Sequence, residues 1–283
     1  MTLREAITEA SNRIARRDAE TLLAHLLFRD RAWLFAHAET DLSHNLLAAF
    51  RTLTARRAAK EPLQHLTGMQ EFFGLPLRVT RDTLIPRPET ELLVEAVLQW
   101  IAARPLLTSP RILDVGTGTG AIALALASKL PSADITATDL SSAALSIAQH
   151  NAGRLHLGHR IHFIPSDLLE APQFKTAAPF DVIVSNPPYI SIYEAATLQP
   201  EVMDYEPHLA LFGGPSGLEI YRRLIPAAHA ALAPHSLLAL EFGFGQRDAL
   251  AALFSAPRLP SWDSLRFQDD YAGIPRIALA TRP

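Results

Sequence analysis

Asn186-Pro187-Pro188-Tyr189 carries the residue types best suited to chemistry on a bound ligand, and it directly follows the apolar run 181–185. Two prolines fix φ at successive positions and remove two amide donors. The polar groups that remain nearby are acceptors, namely the side-chain oxygen of Asn186 and the carbonyl of Pro187. Such a pair suits a planar substrate NH2 group whose two hydrogens must both be held. The alternative is a rigid loop start with Tyr189 in the core.

The chemistry of a planar nitrogen explains why two acceptors would be needed. An amide-like nitrogen is a poor nucleophile because its lone pair is delocalised. Acceptors that hold both N–H bonds pull the nitrogen towards tetrahedral geometry and favour the positive charge that builds on it during attack. Tyr189 can lie against the planar group and orient it towards an electrophilic methyl group. We therefore predict Asn186, Pro187 and Tyr189 as catalytic residues.

A glycine-rich loop follows the apolar run 111–115 and reads Gly116, Thr117, Gly118, Thr119, Gly120. Alternating glycines let a backbone approach a ligand closely and present amides at the start of the next helix. Asp139 follows Gly120 by nineteen residues, at the tip of the second predicted strand, where an acid can accept both hydroxyls of a ribose. The alternative is a tight turn, with Asp139 capping the next helix. The position of Asp139 relative to the glycine loop favours a nucleoside ligand. Because the loop contains no Arg or Lys, a thioether or sulfonium group on that ligand is favoured over a diphosphate.

Composition excludes several classes of function. Lys and Arg number 26 against 29 Asp and Glu, so the basic excess typical of proteins that bind nucleic acid phosphates is missing. The chain has no cysteine, which excludes a disulfide scaffold, a Cys-ligated metal and a thiol nucleophile. Its 11 histidines form no metal-ligand spacing, so we predict no metal site.

Targeting signals are also not expected. The first ten residues include Arg4, Glu5 and Glu9, which argues against a signal peptide. Prolines and histidines interrupt the long uncharged stretch 224–240, which argues against a membrane span. We expect a cytoplasmic protein without a membrane association.

The order of predicted elements indicates an α/β fold with a second, helical domain. Residues 1–70 show helical spacing throughout, with Ser43 as an N-cap, and predict a small helical bundle. Residues 73–79 predict a short strand pair, and residues 89–103 an amphipathic helix. From residue 111 strands and helices alternate, which favours a doubly wound, mostly parallel sheet. Segments 264–270 and 276–280 lie too close together for a crossover and predict an antiparallel hairpin near one edge. We predict a helical domain at 1–70, a β-hairpin linker at 71–88 and a catalytic domain at 89–283.

The glycine loop and the Asn-Pro-Pro-Tyr element together resemble the Rossmann-like class I S-adenosylmethionine-dependent methyltransferases that act on planar nitrogens. Three further stretches narrow the resemblance: LTGMQEFFGL at 66–75, TLIPRPETE at 83–91 and DVGTGTGAIALALA at 114–127. The combination is similar to the peptide chain release factor glutamine methyltransferase family over about residues 60–283. The first 60 residues have the size of that family's N-terminal domain, which implies a substrate-docking role.

The resemblance implies a reaction and a set of site residues. The family methylates the N5 side-chain amide nitrogen of the glutamine in the Gly-Gly-Gln motif of class I release factors, with S-adenosylmethionine as methyl donor. Carried over by motif, Gly116, Thr117, Gly118, Thr119 and Gly120 would contact the methionine part, Asp139 the ribose, Asp167 and Leu168 the adenine, and Asn186 would lie near the cofactor. Asn186, Pro187, Pro188 and Tyr189 would hold the substrate glutamine, with Phe73 and Arg87 at the pocket mouth. A monomer without direct sequence-specific nucleic acid binding is the expectation.

Three alternatives stay open at this point. A glutamine methyltransferase of a ribosomal protein would use the same pocket, although Arg87-Pro88-Glu89-Thr90-Glu91 matches the release-factor type. A DNA adenine N6-methyltransferase would flip its base into that pocket, and the net charge of -3 counts against it. A non-catalytic module that keeps the fold is disfavoured by the intact Asn-Pro-Pro-Tyr element.

Overall fold

The structure is a computed structural model that describes residues 1–256 and 261–283. Several of its helices begin with a side-chain cap. Thr2 and Glu5 form a reciprocal capping box, with each side chain accepting from the other residue's backbone N–H. The predicted cap Ser43 is confirmed, because its hydroxyl accepts from Leu46 N at 3.4 Å. The α-helices are α1 Leu3–Ser11, α2 Arg16–Leu27, α3 Arg31–Ala36, α4 His44–Ala58, α5 Leu63–Thr67, α6 Glu89–Ala102, α7 Ala121–Lys129, α8 Ser142–Arg154, α9 Pro172–Thr176, α10 Pro200–Met203, α11 His208–Leu211, α12 Glu219–Ala231 and α13 Arg247–Phe254.

The strands form a hairpin and a larger mixed sheet. They are β1 Met69–Phe72, β2 Leu75–Arg78, β3 Arg111–Val115, β4 Asp134–Asp139, β5 Ile161–Pro165, β6 Phe180–Ser185, β7 Leu232–Glu241, β8 Ser264–Asp269 and β9 Pro275–Thr281. The large sheet has the order β5-β4-β3-β6-β7-β9-β8. The first five strands in that order run parallel, whereas β9 pairs antiparallel with both β7 and β8. The predicted doubly wound sheet with a C-terminal antiparallel hairpin at its edge is confirmed.

Both faces of this sheet are covered by helices, because its strands are apolar on both sides. Val182 and Val184 pack into one core with α6 and α7, while Ile183 between them packs into the other core with α12. The same alternation recurs in β7, where Leu237 and Leu238 face opposite cores. Strands buried on both faces are expected where crossover helices flank a parallel sheet.

The predicted strand pair at 73–79 is misplaced by a few residues. Its strands are β1 and β2, and its turn consists of Phe73 at φ +53° and Gly74 at φ +76°. Two successive residues with positive φ match a two-residue hairpin turn, whose twist suits that of the flanking strands. Phe73 therefore belongs to the turn, and the first strand precedes it.

The chain forms two compact units, which are Met1–Met69 with Gln199–Tyr205, and Gln70–Leu198 with Glu206–Pro283. In the first unit, apolar side chains of α1, α2 and α4 form a core around Phe50 and the adjacent Leu22 and Leu23. The segment 199–205 joins this unit through Glu201, which pairs with Arg57 at 3.0 Å, and Tyr205, whose hydroxyl donates to a backbone carbonyl of the same unit. No helix in the described ranges has the length and apolar character that a membrane crossing requires.

Asn151 ties strand β2 of the hairpin to the glycine loop. Its buried side chain on α8 accepts from Arg78 N at 2.8 Å and donates to the carbonyls of Arg78 and Thr119, both at 3.0 Å. Thr119 belongs to the glycine loop, so one side chain holds both the hairpin and the loop. Backbone polar groups buried without partners cost free energy, which makes this residue structurally important.

We expect Asn151→Ala to lower the free energy of unfolding by about 3 kcal/mol, because three backbone groups lose their partner. Urea denaturation measures this difference. Asn45→Ala on the exposed face of α4 is the matched control and should stay within about 0.5 kcal/mol of wild type. Equal destabilisation by both substitutions would contradict the role assigned to Asn151.

Candidate active site

A deep cleft opens at the carboxyl edge of the sheet, where β3, β4, β5 and β6 end. Its cavity volume is about 220 Å³, and it is lined by residues within segments 82–90, 115–122, 139–144, 166–168, 185–188 and 207–220. The strand order reverses between β3 and β6, since β3 leads to β4 on one side and β6 leads to β7 on the other. Ligands of open α/β sheets bind at such a switch point.

The glycine loop forms one wall of this cleft. Gly116, Gly118 and Gly120 have φ of +75°, +56° and +83°, a region that side chains disfavour. A Cβ atom on Gly120 would lie 3.2 Å from that of Ala148, so this glycine allows α7 to pack closely against α8. Gly120 itself does not line the cleft, whereas the four loop residues before it do.

Four of the five amides of the glycine loop donate within the chain. The N–H groups of Gly116 and Thr117 donate to Thr138 O, at 2.8 and 2.9 Å. Gly118 N donates to Asp139 Oδ2 at 2.9 Å, and Gly120 N donates to a carbonyl of the loop. These four amides are therefore not available to cradle a phosphate, which depends on free amides.

Asp139 stands at the tip of β4 and lines the cleft. Its carboxylate accepts from Gly118 N and, at 2.8 Å, from Ser141 N. Burial raises the pKa of Asp139, and the backbone hydrogen bonds from Ser141, Gly118 and Leu140 oppose that rise. Ser141 is itself the N-cap of α8, so Asp139 supports the helix start while remaining at the cleft wall.

Asp114 is a fully buried acid behind the same loop, and sequence analysis assigned it no role. One oxygen, Oδ2, accepts from Thr117 Oγ1 at 2.6 Å and from Ala123 N at 3.2 Å. The other oxygen, Oδ1, has no hydrogen-bond partner in the described part of the chain. Burial raises the pKa of Asp114 to about 7, against the effect of these two hydrogen bonds.

Asp167 and Leu168 follow β5 and also line the cleft. Leu168 has φ +49°, an unfavourable conformation for a leucine, so the surrounding structure must hold it. Arg223 on α12 contributes by donating to Asp167 Oδ2 and to Glu170 Oε1, each at 2.7 Å. The sequence contains no signal that pairs Arg223 with this loop, because 53 or more residues separate the partners.

Asn186, Pro187 and Pro188 line the cleft at the end of β6. The preceding Ser185 donates its hydroxyl to Val115 O at 2.6 Å, which holds the ends of β6 and β3 together. The Asn186 amide donates from Nδ2 to Thr90 Oγ1 at 3.1 Å. Within the described residues, no donor contacts Asn186 Oδ1 or the Pro187 carbonyl. These two acceptors are therefore unoccupied within the described part of the chain, and their predicted contact with a substrate NH2 group stays a prediction.

Tyr189 does not line the cleft. Its side chain packs against the core that contains α12, and its hydroxyl lies 3.5 Å from Glu241 Oε1. Burial raises the pKa of Tyr189, and the neighbouring Glu241 raises it further. Its predicted contact with a planar substrate group stays a prediction. The partner Glu241 is a buried acid at the end of β7 to which sequence analysis assigned no role.

Three glycines pack directly against the Asn-Pro-Pro-Tyr loop. A Cβ atom on Gly213 would lie 2.4 Å from Pro188 O, and one on Gly217 would lie 2.2 Å from Tyr189 O. On Gly243 it would lie 2.9 Å from the Tyr189 ring. These glycines leave room for the loop, and only their tertiary placement reveals it.

Arg87 and Phe73, both predicted at the pocket mouth, have different positions. Arg87 lines the cleft and donates to Glu206 Oε1 at 2.5 Å, while Glu206 also accepts from Ile85 N at 3.1 Å. Phe73 does not line the cleft, and its ring lies 5.5 Å from Lys129 Nζ. Lys129 is the last residue of α7. At 1.5 Å per residue, roughly 13 Å of helix separates it from the glycine loop. The backbone N–H of Phe73 donates to Glu91 Oε1 at 2.7 Å, next to the cleft-lining Thr90, so the predicted place of Phe73 at the pocket mouth stays a prediction.

Family models match both parts of the chain, and curated relatives match nearly all of it. Residues 2–68 match the PrmC N-terminal domain, and residues 88–202 match the methyltransferase small domain. The release factor glutamine methyltransferase of Koribacter versatilis is 40% identical, over 100% of this chain and 99% of its own length. The enzyme of the same name from Moorella thermoacetica is 43% identical, over 100% of this chain and 99% of its own length. The one from Cereibacter sphaeroides is 45% identical, over 95% of this chain and 92% of its own length.

The chain belongs to the release factor glutamine methyltransferase family. Solved structures of lower identity share its fold. The hMettl16 catalytic domain, crystallised with a MAT2A 3'UTR hairpin, aligns with a TM-score of 0.59 at 17% identity, over 88% of this chain and 84% of its own. A methyltransferase from Pyrococcus furiosus aligns with a TM-score of 0.51 at 20% identity, over 84% of this chain and 98% of its own. For this family member, the cleft described above is the candidate active site.

We expect Gly213→Ala to destabilise the protein by about 1–3 kcal/mol, because its new methyl group overlaps the Pro188 carbonyl. Gly153→Ala is the matched control, since a Cβ there meets nothing within 4 Å and the residue lies in α8. It should stabilise by about 0.5–1 kcal/mol through its better helix propensity. Urea denaturation of both variants provides the comparison, and an unchanged or higher stability of Gly213→Ala would contradict the packing argument.

The raised pKa of Asp114 predicts a pH-dependent stability. The folded protein keeps the Asp114 proton up to about pH 7, while the unfolded chain releases it near its ordinary value of 3.8. The folded state therefore binds more protons in this window, and its stability falls as pH rises through it. Asp114→Asn has no carboxyl to titrate at this position. The free energy of unfolding of this variant minus that of wild type should therefore increase by about 2–3 kcal/mol from pH 5 to pH 8. A difference that is constant across this range in urea denaturation would exclude a raised pKa at Asp114.

Proposed function

We propose that this protein transfers a methyl group from S-adenosylmethionine to the N5 side-chain amide nitrogen of the glutamine in the Gly-Gly-Gln motif of class I peptide chain release factors. Membership of the release factor glutamine methyltransferase family supports this substrate. The observation that carries the chemistry is the pair of available acceptors, Asn186 Oδ1 and the Pro187 carbonyl, at the end of β6. A primary amide has two N–H groups, and this pair provides one acceptor for each.

The residues around the cleft fit S-adenosylmethionine. The lining carries the acids Asp82, Asp139 and Asp167, and its cation Arg87 is paired with Glu206. The buried Asp114 adds a carboxyl oxygen without a partner behind the loop. An acidic lining, with four of the five loop amides already bonded within the chain, favours a cationic ligand over a phosphorylated one. When bound, S-adenosylmethionine supplies an electrophilic methyl group on a positively charged sulfur.

Each cofactor-binding residue has a distinct role in this proposal. Asp139 accepts the ribose hydroxyls, because its carboxylate is held in place by two backbone N–H groups. Asp167 and Leu168 contact the adenine, and Arg223 fixes their loop. The loop from Gly116 to Thr119 lies against the methionine part, with Gly120 acting through its close helix packing.

The substrate nitrogen attacks the methyl carbon with its own electron pair. A carbon–nitrogen bond forms, the carbon–sulfur electrons leave with sulfur, and the products are N5-methylglutamine and S-adenosylhomocysteine. Asn186 and Pro187 bind the two N–H groups and stabilise the positive charge that develops on nitrogen. The methylated nitrogen then releases one proton to water, so the step needs no general base.

We also propose how the protein meets its substrate. The helical unit docks the release factor, while Pro188 and Arg87 contact the segment that carries the glutamine. The net charge of -3 supports a protein partner without direct sequence-specific nucleic acid binding. We propose a monomer that acts in the cytoplasm, where release factors serve the ribosome.

The test combines the purified protein, S-adenosylmethionine and an unmodified class I release factor, followed by intact and peptide mass measurement. We expect one added methyl group on the Gly-Gly-Gln glutamine. Asn186→Ala should lower the turnover number about 100-fold, because one preorganised acceptor is lost. Asp139→Ala should instead weaken S-adenosylmethionine binding, measured by calorimetry.

A release factor with alanine in place of that glutamine is the substrate control and should gain no methyl group. If the native release factor also gains none although S-adenosylmethionine binds, the proposed substrate is wrong. A large-subunit ribosomal protein and adenine-containing DNA are then the next substrates to test.

A further inference from the structure

The loop that precedes α6 depends on one carboxylate for its hydrogen bonds. Residues 84–88, called here the Pro-Arg-Pro loop, read Leu-Ile-Pro-Arg-Pro and form neither helix nor strand. Pro86 and Pro88 have no N–H to donate. Within the described residues, the donors of this loop that have a partner are Ile85 N and Arg87 Nη2, and both donate to Glu206.

Glu206 is enclosed by the fold as an acceptor. The residue is 5% exposed, and each of its oxygens has one partner: Oε1 accepts from Arg87 at 2.5 Å and Oε2 accepts from Ile85 N at 3.1 Å. A buried carboxylate is tolerated when a cation and hydrogen bonds satisfy it. Because both partners belong to the same loop, Glu206 holds the backbone and a side chain of that loop at once.

The elements on both sides of this contact lead to the Asn-Pro-Pro-Tyr loop. α6 begins directly after the Pro-Arg-Pro loop, and Thr90 in its first turn accepts from Asn186 Nδ2 at 3.1 Å. The chain after Glu206 lines the cleft within segment 207–212, and a carbonyl of this segment accepts from Ile190 N at 3.0 Å. The contact therefore lies on the side of the cleft that would hold the methyl-accepting substrate.

Arg87 has donors that the chain does not use. Its guanidinium carries N–H groups on three nitrogens, and Nη2 donates to Glu206. Nε and Nη1 contact no acceptor in the described ranges. The side chain lines the cleft and is 33% exposed, so these donors are accessible to a bound ligand. A carboxylate partner restricts the plane of a guanidinium and so the directions of its other N–H groups.

We infer that Glu206 is a positioning residue, which anchors the Pro-Arg-Pro loop and holds Arg87 to donate to backbone carbonyls of the substrate segment that carries the glutamine. Glycine has no side chain, so a Gly-Gly sequence offers its backbone for recognition. A guanidinium only donates, and backbone carbonyls are the matching acceptors. The inference rests on the proposed function for the identity of that segment.

The first experiment measures whether Glu206 acts through Arg87. Methylation of a release factor is compared for wild type, Glu206→Gln, Arg87→Met and the double variant. We expect each single substitution to raise the KM for the release factor about tenfold, the effect of one hydrogen bond to a charged group, with the turnover number within about threefold of wild type. The Kd for S-adenosylmethionine, measured by calorimetry, should change by less than about threefold, because Glu206 bonds to the substrate side of the cleft.

The double variant separates positioning from a general structural role. Once Arg87 is removed, Glu206 has no guanidinium to position, so the KM of the double variant should match that of Arg87→Met within about twofold. Asp181→Asn is the control, because its carboxylate also accepts from a backbone N–H, that of Arg111 at 2.8 Å, but lies at the start of β6, away from the cleft. It should match wild type. A wild-type KM in Glu206→Gln, or a double variant whose KM combines both single effects in full, would overturn the inference.

The second experiment tests the anchor without turnover. Hydrogen exchange of the Ile85 amide is followed by NMR in 15N-labelled protein. Exchange should be at least about tenfold faster in Glu206→Met, which offers no acceptor, and should stay slow in Arg87→Met, where Glu206 still accepts. The same rate in wild type and Glu206→Met would overturn the anchor. Where Glu206→Met does not fold, the kinetics of Glu206→Gln decide, because that variant keeps the shape of the side chain.

The two experiments distinguish this inference from the proposed function. If wild type does not methylate the release factor, the proposed function fails, while the exchange of the Ile85 amide still tests the anchor. If wild type methylates it and Glu206→Gln shows the same KM, the proposed function stands and the positioning role of Glu206 is wrong.

Discussion

β3 and β6 pair in parallel at the centre of the sheet, with Leu113 opposite Ile183 and Asp114 opposite Val184. Because the chain leaves these two strands towards opposite sides, their carboxyl ends stay uncovered by a crossover. The Ser185 hydroxyl bonds to Val115 O and keeps the two ends level. The glycine loop and the Asn-Pro-Pro-Tyr loop therefore begin side by side. Every other feature of the cleft is arranged around this pair of strand ends.

The buried acids of the described residues differ in how completely their oxygens are paired. Glu20, away from the cleft, accepts from Arg16 and Arg31, whose hydrogen bonds lower its pKa overall although burial raises it. Asp114 and Glu241, at the carboxyl edge of the sheet, each have one oxygen without a partner, and burial raises the pKa of both to about 7. An incompletely paired buried carboxyl costs stability. Glu206, beside the cleft but paired with Arg87 and Ile85 N, lacks such an open oxygen, so Asp114 and Glu241 are the candidates for functional acids among these.

The loop that carries Asn186 is held from several directions at once. Gly213 and Gly217 lie against its carbonyls. Gln246 donates to Tyr189 O at 2.8 Å and accepts from Gly243 N at 3.0 Å, which joins the loop to the end of β7. Catalysis by orientation needs such rigidity, because small displacements of an acceptor reduce the stabilisation of a transition state. The fold thus places the two prolines in a setting that leaves them little freedom.

Local sequence patterns were sufficient for the elements and for part of the site. Alternation of apolar strands and helices determined the doubly wound sheet, since each strand must be buried on both faces. The short spacing of the last two strands determined their antiparallel pairing. The residue types of Asn186 and Pro187 determined that acceptors stand at the end of β6, because prolines cannot donate.

Tertiary structure alone decided which distant residues support those elements. Thr90, Glu206, Arg223 and Glu241 lie 52 or more residues from the site residues they contact or act on, and no local periodicity links them. The hairpin turn contains Phe73, and three amides of the glycine loop donate to Thr138 and Asp139, which the sequence did not indicate. Sequence by itself determined what each short segment can form, because propensity and pattern act over a few residues. Burial and charge pairing join segments that are far apart in the chain, so only the folded structure decides them.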